Sequence, residues 1–123
     1  MENREFARNL EGRTKKFAVE IIRLCSGLPN SPEGKVIRNQ LTRSGTSIGV
    51  NYREANRARS RADFRSKIGI CASEASETGY WLEIIGEVGW VSIDSLEGLK
   101  RECDELLAIF SSIGKNLSSG PNS

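Results

Sequence analysis

The sequence predicts an all-α protein, an antiparallel up-down-up-down four-helix bundle. Three observations predict this class. Apolar residues recur at steps of three and four in four segments, polar turn-forming stretches separate these segments, and no segment alternates polar and apolar residues as a strand does. Short connections make consecutive helices antiparallel neighbours. The 123 residues have the size of one domain. We predict that this domain spans residues 1–117 and that a polar, disordered tail follows at 118–123.

The first helix is predicted from about Thr14 to Ser26, with an apolar pattern that extends back toward Phe6. Its core face consists of residues three or four apart, namely Phe17, Ile21, Leu24 and Leu28. A turn that contains Gly and Pro ends this helix. Ser31 is predicted to cap the second helix, because Pro32 follows at the first helical position. We expect the second helix to run to about Asn56.

The third helix is predicted from about Arg61 to Val88, because Ser60 and Asp63 have the spacing of a capping box with the shorter acid. Its core face consists of Phe64, Ile68, Cys71, Ala75, Thr78, Leu82 and Ile85. The fourth helix is predicted to begin at Asp94, with Glu97 three residues later. Its apolar residues repeat about every 3.5 residues, as in a coiled-coil-like bundle: Leu96, Leu99, Cys103, Leu106, Phe110, Ile113 and Leu117.

The second helix carries a polar stripe beside its apolar face: Arg43, Ser47, Asn51 and Glu54. A solvated helix surface usually carries long, interchangeable charges, so this row indicates a specific network. If the second and third helices form a hairpin that turns near residue 58, Arg43 lies level with Glu74. We therefore predict an ion pair from Arg43 to Glu74 or Glu77, which would fix the register of the two helices.

The third helix has a second stripe that an isolated small bundle does not require: Ile70, Glu74, Glu77, Trp81 and Ile84. Two interpretations remain open. Trp81 is an aromatic anchor of a self-association surface, or a wide core face buries Trp81 within the monomer.

Five glycines fall inside the second and third helices, at positions 45, 49, 69, 79 and 86. Each costs about 1 kcal/mol relative to Ala in a helix interior. We expect them to permit close backbone approach between these two helices or between subunits.

Charge is segregated along the chain, although the net charge is only +2. Residues 34–67 contain nine basic and two acidic residues, whereas residues 74–105 contain nine acidic and two basic residues. The densest basic cluster surrounds the connection between the second and third helices: Arg53, Arg57, Arg59, Arg61, Arg65 and Lys67. Arginines in such a cluster can bind phosphates bidentately, which predicts contact with RNA or DNA. The alternative is a scaffold without a nucleic-acid role, in which the basic half of one subunit pairs with the acidic half of the next.

The composition argues against catalysis, metal sites and cofactors. The chain has no histidine, and it has neither a P-loop nor a dinucleotide-binding motif. Cys25, Cys71 and Cys103 are far apart in the sequence and lie in apolar helical patterns, which predicts buried, reduced thiols. The sequence shows no signal peptide and no apolar run long enough to span a bilayer. We therefore expect a non-enzymatic cytoplasmic protein without a membrane partner.

Several of these residues together resemble the four-helix bundle proteins named for 23S ribosomal RNA intervening sequences. The resemblance covers roughly residues 13 to 110, and its combined spacing is specific although no single motif is. It rests on the run from Arg43 to Ile48, on Asn51 and Glu54, and on residues of the third helix: Ser60, Asp63, Phe64, Lys67, Glu74, Ala75, Glu77, Thr78, Tyr80, Trp81 and Leu82.

The resemblance implies a small homo-oligomer with a nucleic-acid partner. Some members of the family are encoded within insertions in ribosomal RNA genes. A related branch, the accessory proteins of diversity-generating retroelements, forms ring-shaped homopentamers, binds nucleic acid and engages a reverse transcriptase. By this resemblance we expect a pentamer that binds RNA or DNA, or a nucleic-acid enzyme. Structural or interfacial roles are expected for Arg43, Ser47, Asn51, Glu54, Glu74, Glu77 and Trp81.

Overall fold

The computed structural model describes residues 3–118, which form four α-helices and, within that range, no strand. The helices are α1 (Asn3–Cys25), α2 (Pro32–Ala55), α3 (Arg61–Glu87) and α4 (Ile93–Ser118). The predicted all-α class with four helices is confirmed. Most of the predicted tail, residues 119–123, lies outside the described residues. None of the helices in the described range is long and apolar enough to cross a membrane.

The first helix begins earlier than predicted. It starts at Asn3 rather than near Thr14, because its core face continues toward the N-terminus. Thr14 and Leu10 lie on the same face as Phe17 and are both buried. The Thr14 hydroxyl donates a hydrogen bond to the Glu11 carbonyl one turn earlier (3.0 Å), so a polar side chain is satisfied inside the core.

Serine hydroxyls cap three of the helices. Ser31 accepts a hydrogen bond from the Gly34 backbone N–H (3.0 Å), and Ser60 accepts one from the Asp63 N–H (3.0 Å), as predicted. The start of α4 was predicted to within one residue, since the helix begins at Ile93, but its cap was wrong. Ser92, not Asp94, accepts from the Ser95 N–H (3.1 Å), and Asp94 lies in the first turn, where its negative charge favours the helix N-terminus.

Each helix packs against its neighbours in the chain, and the contact between α1 and α4 is the smallest of the four helix contacts. The helices share one buried, largely apolar core, in which the Tyr52 and Phe110 rings lie 5.4 Å apart between centroids. Two hydroxyls, those of Ser44 and Thr78, lie 2.9 Å apart in the buried interface of α2 and α3. The four segments therefore form a single core.

Two glycines of α2 permit close approach to α1 rather than to α3. A Cβ added at Gly45 would lie 2.8 Å from Ile21 Cγ2, and one added at Gly49 would lie 3.1 Å from Thr14 Oγ1. The prediction of close approach between the second and third helices was therefore wrong for these positions. A Cβ at Gly69 would have no neighbour within 4 Å, so no close contact explains that glycine.

The three cysteines are free thiols buried in the core. Burial raises the pKa of the Cys71 thiol and that of the Cys103 thiol to about 12. Cys71 Sγ donates to the Ile48 carbonyl (3.5 Å) and Cys103 Sγ donates to the Ala75 carbonyl (3.2 Å). These thiols behave as small core side chains that also join neighbouring helices.

Substituting Gly45→Ala is expected to lower the free energy of unfolding by about 1–2 kcal/mol. The added methyl group overpacks the stiff Ile21 side chain, and the energetic cost of this overpacking exceeds the gain from the higher helix propensity of Ala. Gly69→Ala is the matched control. It adds the same methyl group in open space and should raise the free energy of unfolding by about 1 kcal/mol. Urea denaturation at one fixed protein concentration measures both. A Gly45→Ala variant as stable as Gly69→Ala would contradict the described α1–α2 packing.

In the native protein, a thiol reagent such as DTNB is expected to label fewer than one of the three cysteines within minutes. All three should react at once in denaturant, because only the exposed thiolate is nucleophilic. The native labelling rate should follow opening of the fold. Rapid labelling of two or more thiols in the native state would show that the core is not packed as described.

Candidate nucleic-acid interface

The predicted arginine cluster lies at one end of the molecule, where α2 ends and α3 begins. The Ser60 cap turns the chain into α3, and Ala55 and Ile68 point into the core on either side of the connection. The basic residues in and beside this connection therefore lie on the surface. Lys67 is half-buried, and the five others are exposed: Arg53, Arg57, Arg59, Arg61 and Arg65.

Three of these basic residues have partners within the chain. Arg53 Nε lies 3.9 Å from Glu11 Oε1, and Lys67 Nζ lies 3.4 Å from Glu54 Oε1. Arg61 Nη2 donates a hydrogen bond to the carbonyl of Leu117 (3.2 Å), in the last turn of α4. Such a contact satisfies one of the carbonyls that a helix leaves without an intrahelical donor at its C-terminus.

The other three arginines make no ion pair with any residue of the 3–118 range. They are Arg57, Arg59 and Arg65, two in the connection and one in α3. A guanidinium group without a carboxylate partner retains its charge and five donors for an external anion. Within the predicted cluster, these three are the best placed to contact phosphate.

The structure adds two basic residues that the sequence analysis missed. Arg4 and Arg8 of α1 line a shallow depression together with Glu11 and Asn56. Asn56 Nδ2 donates to Glu11 Oε2 (2.8 Å) and so links the α2–α3 connection to α1. The signal in the sequence was Leu10, whose spacing from Phe17 extends the core face and carries α1 past both arginines. We call this surface the basic end: Arg4, Arg8, Arg53, Arg57, Arg59, Arg61, Arg65 and Lys67.

Farther along α2, the predicted ion pair of the polar stripe is confirmed. Arg43 Nη1 lies 3.0 Å from Glu74 Oε2, and Arg43 Nη2 lies 2.6 Å from Glu77 Oε2. Trp81 Nε1 also donates to Glu77 Oε2 (3.1 Å). The hydrogen bond to Glu77, followed by that to Glu74, raises the pKa of Arg43. The hydrogen bonds from Arg43 and then Trp81 lower the pKa of Glu77.

Two members of the predicted polar network bond to their own helix instead. The Ser47 hydroxyl donates to the Arg43 carbonyl (2.6 Å), and Asn51 Nδ2 donates to the Ser47 carbonyl (2.9 Å). Short polar side chains in a helix interior commonly form this local bond to the residue four positions earlier. Ser47 and Asn51 therefore bond along the stripe and not across to α3, and their role at a subunit interface stays a prediction. Arg43 and Glu54, at the ends of the stripe, are the members that pair with α3.

Trp81 is half-buried and packs against the core, and Ile84 is also half-buried. The indole N–H is satisfied by Glu77 within the chain. This geometry fits the wide core face, and a role for Trp81 at a subunit interface stays a prediction. The adjacent Tyr80 is exposed, with its ring centroid 5.2 Å from that of Trp81.

Two neighbouring carboxylates of α3, those of Glu74 and Glu77, both lie within hydrogen-bond distance of Arg43. Within residues 3–118, no group of three or more His, Cys, Asp or Glu residues is arranged to hold a metal ion. The absence of catalysis stays a prediction.

Four helices around one apolar core, with a charged end, define an all-α bundle protein. The sequence profile of the 23S rRNA-intervening sequence protein family matches residues 10–116, and the chain therefore belongs to this family. A solved structure of a protein of unknown function, from the S23 ribosomal protein family of Bacteroides thetaiotaomicron, is 39% identical with a TM-score of 0.80. The match covers 85% of this chain and 97% of that chain. No curated protein matches the chain.

Replacing Glu77→Gln is expected to lower the free energy of unfolding at pH 7 by about 1 kcal/mol, because it removes one charge from the Arg43 ion pair while the amide oxygen still accepts from Trp81. Since the folded-state pKa of Glu77 is lowered, the stabilisation is complete above its unfolded pKa of about 4.3 and disappears as pH falls through the folded value. Urea denaturation at pH 7 and pH 2.5 measures the difference.

Glu105→Gln is the control for this prediction, because it removes an exposed ion pair to Arg13, which keeps both of its bonds to Glu102. Its effect at pH 7 should be no more than about 0.5 kcal/mol. A Glu77→Gln effect that is equal at both pH values would exclude the ion pair as its cause.

Proposed function

We propose that this protein is a non-enzymatic, homo-oligomeric four-helix bundle that binds nucleic acid, RNA or DNA, through its basic end. The observation that carries the proposal is the position of Arg57, Arg59 and Arg65, exposed together at one end of the molecule without carboxylate partners in the described range. Phosphate neutralisation by arginine is the main source of affinity in sequence-independent nucleic-acid binding.

An antiparallel, up-down-up-down order of the helices supports this proposal. Arg43 pairs with Glu74 and Glu54 pairs with Lys67, so residues with higher numbers in α2 contact residues with lower numbers in α3. The same relation links Gly86 with Leu96 and Ala75 with Cys103, between α3 and α4. In this arrangement, α1 begins and α4 ends beside the α2–α3 connection. Basic residues from three helices and one connection then share one surface.

The composition of the basic end suits a phosphate ligand. Seven of its eight basic residues, as defined above, are arginines, and arginine binds phosphate oxygens through two parallel N–H donors. The acidic residues Glu11 and Glu54 are already engaged by Arg53 and Lys67. The 23S rRNA-intervening sequence family to which the chain belongs takes its name from a ribosomal RNA element. RNA is therefore the first ligand to test.

Other parts of the proposal follow from the resemblance. The subunits are proposed to form a ring of five, and a reverse transcriptase or another nucleic-acid enzyme is a proposed partner. We also propose a cytoplasmic location, because three buried free thiols suit a reducing compartment.

A protein-interaction scaffold with no nucleic-acid role is the second candidate. The observation that favours it is the segregation of charge, with nine acidic residues against two basic residues over 74–105. In a scaffold, the free arginines of the basic end would pair with carboxylates of a neighbouring subunit. The two candidates differ in what the arginine substitutions change: RNA affinity in the first, subunit assembly in the second.

Fluorescence anisotropy with a labelled RNA hairpin, and with a DNA duplex of equal length, tests the proposal. Replacing Arg57, Arg59 and Arg65 by Ala is expected to lower affinity at least about tenfold at 0.1 M salt. It should also reduce the slope of log K against log salt by about 2–3, since each lost phosphate contact removes about 0.7–0.9. The control variant replaces Lys16, Lys35 and Arg38 by Ala, the same loss of charge away from the basic end.

We expect the control variant to keep its affinity within about threefold, because screened charges far from the ligand contribute little. No measurable RNA or DNA binding at 50 mM salt would refute the nucleic-acid proposal. Equal losses in both variants would show attraction by overall charge instead of a defined surface. Intact affinity with dissociation into monomers would favour the scaffold.

A further inference from the structure

An apolar groove lies between α3 and α4, far from the basic end. Its cavity has a volume of about 490 Å³, and its apolar lining consists of Leu82, Gly86, Ile93 and Leu96. Gly86 lies about 30 Å along α3 from Arg65, at about 1.5 Å per residue. Ile93 is 72% exposed, a large apolar side chain that nothing in the described chain covers. Exposed apolar grooves of this kind are typical of interaction sites.

The rim of this groove is acidic. Glu83, Glu87, Glu97 and Asp104 line it together with Lys100 and Arg101, which leaves four acidic against two basic groups. Lys100 Nζ is shared between Glu83 (3.2 Å) and Asp104 (3.4 Å), and Arg101 pairs with Glu97 (2.8 Å). Glu87 makes no ion pair with the described residues. The groove therefore suits an occupant that combines apolar side chains with positive charge.

The outer face of α1 has this combination. Val19 and Ile22 are exposed apolar residues, with Ile22 50% exposed. Lys15, one turn before Val19, and Arg23, beside Ile22, are exposed and make no ion pair within residues 3–118. These four residues lie on the side of α1 opposite the buried face of Phe17 and Ile21, as their spacing requires.

The two surfaces can be engaged at the same time. Among the described residues, α1 packs beside α2 and α4 and is not a direct neighbour of α3, and the outer face of α1 points away from the core. When the α1 face of one copy binds the groove of a second copy, the first copy still has a free groove and the second copy still has a free α1 face. Such a heterologous contact repeats from subunit to subunit and closes into a ring or continues as a filament.

We propose that the acidic apolar groove between α3 and α4 binds the outer face of α1 of a second copy. Ile22 and Val19 enter the groove beside Ile93, and Lys15 and Arg23 meet the acidic rim. The inference rests on the homo-oligomer of the proposed function and specifies its contact surfaces. These surfaces are separate from the Trp81 side of α3 and from the basic end, so assembly leaves the arginines available for phosphate.

Sedimentation velocity at about 50 µM provides the first test. Ile22→Asp places a charge in the proposed contact and is expected to convert the oligomer into monomers, with unchanged helical circular dichroism because the residue is exposed. Val50→Asp is the matched control, since Val50 is 57% exposed on α2 and belongs to neither surface. It should sediment as the wild type does.

Charge reversal provides the second test. The double variants Lys15→Glu with Arg23→Glu, and Glu87→Lys with Glu97→Lys, should each be monomeric, because like charges then oppose one another across the contact. Combined in one chain, the four substitutions should restore assembly, since the reversed α1 face then meets the reversed groove at every contact of the ring. Recovery of the oligomer in the combined variant alone is the expected result.

Two outcomes would overturn the inference, and they separate it from the proposed function. If the wild type is an oligomer but Ile22→Asp remains one, these surfaces are not the contact, and the oligomeric function stands. A wild-type monomer at 50 µM would reject both the inference and the proposed oligomer. RNA affinity of the Ile22→Asp monomer within about tenfold of the wild type would leave the nucleic-acid proposal intact in either case.

Discussion

The hydroxyl groups of Ser44 and Thr78 lie 2.9 Å apart inside an otherwise apolar interface, and the positions of the charged residues depend on that pairing. Sliding α2 along α3 by one turn would break this hydrogen bond between the helices. Each hydroxyl would keep only the bond to its own helix, from Ser44 to the Leu41 carbonyl and from Thr78 to the Glu74 carbonyl. The register that satisfies them also places Arg43 beside Glu74 and brings Lys67 to Glu54. A few polar atoms thus select one of several alignments that the apolar surfaces alone would tolerate. The connection between the helices, with its arginines, has a defined place because the helices on either side of it do.

The charged side chains of this molecule differ in whether they have an oppositely charged partner within the chain. Away from the basic end and the outer face of α1, four cations pair with local carboxylates: Arg13, Arg43, Lys100 and Arg101. The pairing of Arg13 with Glu102 and Glu105 ties α1 to α4. The hydrogen bond to Glu102 is the largest of the effects that raise the pKa of Arg13. Unpaired cations are concentrated at the basic end and on the outer face of α1, and an unpaired carboxylate, Glu87, borders the groove. Exposed ion pairs contribute little to stability, so the unpaired groups are those with most to gain from an external partner.

The sequence allowed α2 and α3 to be placed closely, because local chemistry defines their starts: Ser31 with Pro32, and Ser60 with Asp63. Other features depend on neighbours that no local pattern identifies. Thr14 has the appearance of a helix start, yet it is buried and bonds within its own helix, and the two arginines before it were missed for that reason. The spacing of Gly45 shows that it lies inside a helix but not which helix approaches it. Ser47 and Asn51 illustrate the same limit, since a polar side chain in a row can bond along its helix or across to another. The ion pair of Arg43 could be predicted because its side chain is long enough to reach the neighbouring helix of the hairpin, where Glu74 and Glu77 lie at the same level.

Arg61 gives the basic end a property that its other arginines lack. Its guanidinium group holds the carbonyl of Leu117, and so it closes the last turn of α4 from outside that helix. If a phosphate took the N–H that Arg61 donates to the Leu117 carbonyl, that carbonyl would lose this donor. Binding at Arg61 and fraying of the α4 terminus would then be thermodynamically linked: a ligand that takes this N–H would loosen the end of α4, and whatever holds that end in place would weaken the ligand by the same factor.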